Sequence, residues 1–164
     1  MGFLSSIVLA ASVTMGHASE AADLNLQQLA PMIGSWTVTF DDPEMPVKEA
    51  RVTCKWMLDG KYVASRWSTL DGKDLGPELI TWDPIKKTIK LWGFDTVSFY
   101  EATFQIEGKK WTGKYEGTKF TGERTKNTIV LEFKDDSTIL TKSYHDGSDK
   151  VAGTSKFTRV DKGK

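Results

Sequence analysis

The amino-acid sequence predicts an all-β protein: a single antiparallel up-and-down β-barrel of about ten strands, entered through a short N-terminal helix. Three observations carry this expectation. From Ser35 onward, runs of residues rich in Val, Ile, Thr, Trp, Phe and Tyr succeed one another with no helical stretch between them. Turn pairs punctuate the runs roughly every ten residues: Asp59-Gly60, Asp71-Gly72, Asp83-Pro84, Glu107-Gly108, Glu116-Gly117 and Asp146-Gly147. Acid–Gly pairs supply the positive φ that tight hairpins require. Within the runs polar and apolar residues alternate, the pattern of a sheet with one wet and one dry face.

Along the chain, the first element is a stretch of apolar and small residues, Phe3 to Met15, without a charge. It is shorter than the ~20 residues that cross a bilayer and suits the apolar region of a signal peptide. Small residues in "GHASEA" place cleavage after Ala18 or Ala21, although no Lys or Arg precedes the apolar run. Residues 1–21 are therefore expected to be a signal peptide, and the mature protein periplasmic or secreted; a buried N-terminal helix is the other reading. Next, "LNLQQLAPMIG" spaces Leu24, Leu26, Leu29, Met32 and Ile33 as a short helix or turn, stopped by Pro31 and Gly34 and placed to plug one end of the fold.

The strand runs lie at 35–41, 48–58, 61–70, 76–82, 87–94, 97–106, 109–116, 118–125, 127–134, 137–145 and 150–160, about ten strands once one or two are fused. Short links make sequence neighbours spatial neighbours, and closing the sheet removes its two exposed edges. The whole chain of 164 residues has room for one such domain with a sizeable core.

Alternation then sorts side chains between wall and interior. In "SFYEATFQI", Tyr100, Ala102, Phe104 and Ile106 oppose Glu101, Thr103 and Gln105; in "KKWTGKYEG", Trp111, Gly113 and Tyr115 share the dry face. With Lys142, Lys150 and Lys156 pointing to water, Ile139, Thr141, Ser143 and His145 point inward, as do Val151, Gly153, Ser155, Phe157 and Arg159. Small hydroxyl residues among aromatic walls resemble a ligand pocket, and the candidate ligand-binding set is Tyr100, Phe104, Trp111, Tyr115, Thr141, Ser143, Ser155, Arg124 and Arg159. The alternative is that large residues fill the interior. The two arginines enter as anchors for a carboxylate or phosphate at the barrel mouth; the alternative is that they cover core residues and pair with rim acids. Lys90 marks the outer face of "KLWGF", so Trp92 and Phe94 face outward and form a candidate homodimer contact; the parity of Trp82 stays open beside its turn.

Composition narrows the functions. Twenty-two basic residues balance twenty-two acidic ones, which removes the simplest electrostatic case for nucleic acid or an anionic membrane. Cys54, the single cysteine, cannot form an intramolecular disulfide and reads as a small buried hydrophobe. The two histidines, His17 and His145, and one cysteine make no zinc cluster, and no Gly-rich phosphate loop occurs. Asp83 and Asp95 read as turn residues.

The strings "IGSWTVTF" (33–40), "WMLDGKYV" (56–63), "ITWDPIKKTIKLWGFDT" (80–96), "YEGTKFTG" (115–122) and "GTSKFTRV" (153–160) resemble the bacterial family called domain of unknown function 1579. The resemblance covers residues 24–160 and implies a calycin-like barrel, distantly similar to lipocalins and to nitrobindin-like haem barrels. It brings no catalytic residues. Nitrobindin-like barrels hold haem through a late-strand histidine that this closing strand lacks, so no cofactor is expected. The expected function is an exported barrel that binds a small apolar or amphipathic molecule in its lumen without catalysis. The alternatives are an isomerase- or hydrolase-type enzyme using His145 or an interior acid as proton shuttle, a protein-interaction module, and a haem barrel.

Overall fold

The computed structural model describes residues 25–43 and 45–160. The signal peptide expected over residues 1–21 lies outside the described residues. Ten strands follow in chain order: β1 (Gly34–Asp41), β2 (Glu49–Met57), β3 (Tyr62–Ser68), β4 (Asp74–Asp83), β5 (Thr88–Phe94), β6 (Ser98–Glu107), β7 (Lys110–Lys119), β8 (Arg124–Asp135), β9 (Thr138–His145) and β10 (Val151–Arg159). Each pairs antiparallel with its neighbours in sequence, and β1 pairs with β10 from Trp36 opposite Arg159 to Asp41 opposite Thr154. The sheet is a closed up-and-down barrel.

Turn chemistry mostly follows the acid–Gly pairs. Gly60, Gly72, Gly108 and Gly147 all adopt positive φ between strands, where a side chain would be strained. Asp83 accepts the Ile85 and Lys86 amides, and the Lys86 contact leads in holding its carboxyl below the usual range. Asp95 likewise accepts the amides of Val97 and Ser98. One pair behaves otherwise: Glu116-Gly117 lies inside β7, with Gly117 opposite Tyr100 on one side and Thr125 on the other. The turn falls at Gly122 instead, with φ of 90°, so the run at 118–125 divides between the end of β7 and the start of β8. Gly117 serves close packing here, since an added Cβ would lie 2.8 Å from the Thr125 hydroxyl oxygen.

The two barrel ends differ. At the lower end, where β1 starts, a 3-10 helix (Gln27–Met32) lies across the opening with Leu29 fully buried. Above it inward side chains fill the interior: Trp36, Val38, Val52, Val63, Ile80 and Ile89 are almost wholly buried. The rings of Trp111 and Phe133 meet at 4.8 Å and those of Phe104 and Trp111 at 6.4 Å. Trp82 resolves inward, because it pairs with buried Ile89.

Arg159 fastens this end. Its guanidinium donates to the Ile33 carbonyl at 2.6 Å, the Pro31 carbonyl at 2.9 Å and the Asp136 carbonyl at 2.5 Å, and it lies 4.0 Å over the Trp36 ring. All its nitrogens are thus engaged by backbone, and the expected role as a ligand anchor at the mouth is corrected: Arg159 ties the last strand to the plug. Charge-assisted bonds and a cation–π contact of this kind are worth a few kcal/mol together. Arg159→Met, which keeps most of the volume, is expected to lower unfolding stability by about 2–4 kcal/mol in urea titration.

Candidate functional site

Antiparallel partners share a face, so the register identifies every inward side chain. At the upper end these are not sealed. Phe40, Trp67, Glu78, Tyr100, Tyr115, Asn127, Ser143, Ser155 and Phe157 point inward yet are only partly buried. The barrel is a cup: plugged and packed below, reached by solvent above.

Glu78 is the chemical centre of the cup. It lies on β4 opposite Ser65 and Gly93, on the row that continues to Ile80 and Trp82. Its Oε2 accepts from Ser65 Oγ at 2.6 Å and from Trp67 Nε1 at 2.8 Å, and its Oε1 accepts from Tyr100 Oη at 2.9 Å. All three neighbours donate, as suits a carboxylate. Tyr100 reaches it because a glycine faces it: Tyr100 is paired with Gly93. A Cβ on Gly93 would fall 2.1–2.5 Å from Tyr100 ring atoms, so Gly93 is what lets the phenol lie across the strand toward Glu78.

Two aromatic groups flank the carboxylate. Tyr100 and Tyr115 meet at 5.2 Å between centroids; Trp67 contacts Phe157 edge-on at 5.8 Å and Phe40 at 6.4 Å. Burial, reinforced by Glu78, pushes the Tyr100 phenol well above its ordinary range. Burial, with Asp95 and Glu78 adding to it, lifts Tyr115 to about 12. Neither phenol is ionised near neutral pH, and Tyr100 donates to Glu78 there.

The expected site residues divide accordingly. Tyr100 and Tyr115 stand in the open half. Thr141, Ser143 and Ser155 also face it, with Thr141 and Ser155 bonded to each other and Ser143 donating to the Gly153 carbonyl at 3.3 Å. Phe104 and Trp111 face inward but belong to the sealed lower half, buried against each other and Phe133; they are core, which corrects their place in the ligand-binding set. Arg124 is corrected too. It pairs with Thr118 and is exposed, while the adjacent Thr125 is the residue opposite Gly117, so Arg124 stands on the outer wall. His145 lies at the rim on β9, exposed, opposite Asn127. Trp92 and Phe94 face outward, Trp92 half-buried and Phe94 54% exposed.

Glu78, Ser65 and Trp67 were absent from the expected set. The signal for Glu78 was its parity with Ile80 and Trp82, hidden because the 84–87 turn left Trp82 unplaced. A cleft of about 200 Å³ lies at the lower end between the 3-10 helix and Trp111, Phe133 and Asp136. It is smaller than ordinary ligand sites, and the convergent polar groups are at the other end. Among the described residues, no three His, Cys, Asp or Glu side chains are grouped to hold a metal ion.

The fold and site together define a class: a closed ten-stranded antiparallel β-barrel, plugged below and open above, with a carboxylate in its lumen. Neither a family model nor a curated protein matches this chain.

Cys54 faces the packed interior opposite Gly34 and Ser65. Burial, with Glu78 adding and Arg159 opposing, raises its thiol from 9.0 to about 12. The unfolded chain ionises first as pH rises, so the contribution is intact below about pH 9 and is lost toward pH 12. Folded protein is expected to resist thiol alkylation at neutral pH, and its stability to fall above pH 9 less steeply in Cys54→Ala, measured by denaturation at stepped pH.

Proposed function

We propose that this chain is an exported β-barrel that takes a small apolar or amphipathic molecule into the open half of its lumen and releases it unchanged. The observation that carries the reading is the gradient of burial along the barrel axis. Near the plug Leu29, Trp36 and Trp111 are almost wholly buried while Trp56, Trp82 and Ile106 are partly so; in the upper half the inward aromatic side chains Phe40, Trp67, Tyr100, Tyr115 and Phe157 are all partly accessible. An apolar wall with a few placed polar groups is the usual make-up of a small-molecule site. Export is supported by the uncharged apolar run and small residues of positions 1–21. The strings that resemble the domain of unknown function 1579 family, such as "IGSWTVTF" and "ITWDPIKKTIKLWGFDT", favour a calycin-like barrel. Titration with the neutral probe N-phenyl-1-naphthylamine is expected to give saturable, one-to-one fluorescence enhancement. Ser143→Trp, which fills the lumen from β9, should weaken it at least about tenfold. A probe that does not saturate, or binds the variant equally, sinks the reading.

A second reading rests on the outer wall beside the mouth. Phe94 and Phe99 are paired across β5 and β6, Phe120 meets Phe99 at 6.1 Å, and with Val97 all are exposed. Apolar neighbours exposed together commonly mark an interface, and self-association through this patch and Trp92 follows. Sedimentation velocity should then show a dimer that Phe120→Ser shifts toward monomer; a monomeric wild type at high concentration excludes it.

A further inference from the structure

We infer that the head of the ligand is cationic, a protonated amine received by Glu78, with its apolar body along Tyr100, Tyr115 and Trp67. This rests on the lumen-binding reading and specifies the ligand class.

The first ground is an imbalance of charge. Glu78 faces the accessible half of the lumen, and three neutral donors hold it. Among the described residues the ion pairs join Arg66 to Asp74, Lys119 to Glu123, Lys126 to Glu116 and Lys134 to Glu132, and none includes Glu78. Of the Lys and Arg side chains on the inward parity, Arg159 is at the plugged end and engaged by three carbonyls, and Lys119, at the rim opposite Ser98, is paired with Glu123. His145 stands on β9, five strands from β4 in either direction around the ring of ten. A carboxylate in a confined, partly desolvated cup focuses a negative potential there.

The second ground is unused acceptor capacity. A carboxylate offers about four lone-pair sites. Oε2 receives two donors and Oε1 receives one, so Oε1 keeps a place for a donor arriving from the mouth. The third ground is what surrounds that place. Tyr100 and Tyr115 rings lie beside it, with Trp67 on the other side. Electron-rich ring faces attract ammonium groups, whereas an anionic head would meet Glu78 with the Asp95 carboxylate nearby, both of which raise Tyr115. A carboxylate tying β3, β4 and β6 together could serve structure alone, but that role predicts no selectivity for ligand charge.

The test compares three probes with one tail, octylammonium, 1-octanol and octanoate, titrated calorimetrically against the full chain and against Glu78→Gln. The ammonium is expected to bind wild type at least about tenfold more tightly than the alcohol, and octanoate most weakly. In Glu78→Gln the ammonium preference should disappear. If octanol or octanoate matches the ammonium in wild type, or if Glu78→Gln keeps the preference, the cationic head is wrong while lumen binding stands. If none of the three binds, the lumen reading fails and takes this inference with it. Should Glu78→Gln not fold, the wild-type ranking decides alone.

Discussion

The pairing of β1 with β10 is the constraint on which this molecule depends. It leaves no strand edge exposed and satisfies the backbone groups that an open sheet would present to solvent or to another chain. Closure at ten strands also fixes a diameter, and a barrel of that width is not filled by one layer of ordinary side chains. The chain resolves this differently at its two ends. Aliphatic side chains with Trp36, Phe104, Trp111 and Phe133, capped by the 3-10 helix, fill the lower half; in the upper half partly buried aromatic rings alternate with serine, threonine, glycine and Glu78. The cup is therefore a result of where bulky residues are placed along the strands, not of a separate pocket-forming element.

Much of this was legible in the sequence. Period-two alternation placed Tyr100, Tyr115, Thr141, Ser143 and Ser155 on the inner face, because lysines on the same strands marked the outer one. Alternation carries no information about height in the barrel, however, and that is why Phe104 and Trp111 read as pocket residues although they lie in the packed half. Parity also fails across turns of uncertain length. The Asp83-Pro84 hairpin hid the orientation of Glu78, and an acid–Gly pair inside β7 read as a turn. The inward face of Arg159 was readable but its role was not, since two of its three partners are backbone carbonyls 126 and 128 residues away along the chain.

Glycine and aromatic residues act as a unit in this sheet. Tyr100 lies against Gly93, and Phe104 against Gly113, each ring over its cross-strand partner. Without side chains, those glycines would leave gaps in the inner wall; the rings cover them and are in turn held in one orientation. In the upper half this fixes a phenol on Glu78; in the lower half it completes the core. The same packing device thus serves chemistry at one end and stability at the other.

The clasp made by Arg159 has a bearing on how the chain reaches its fold. It joins the last strand to the segment before the first, so neither the seal on the lower end nor the final ladder can form from any shorter stretch of the chain. Contacts that distant in sequence are paid for in loop-closure entropy before they return any stability. The barrel closes only with β10 (Val151–Arg159): without that strand the plug lacks the Arg159 clasp and the barrel stays open along one side.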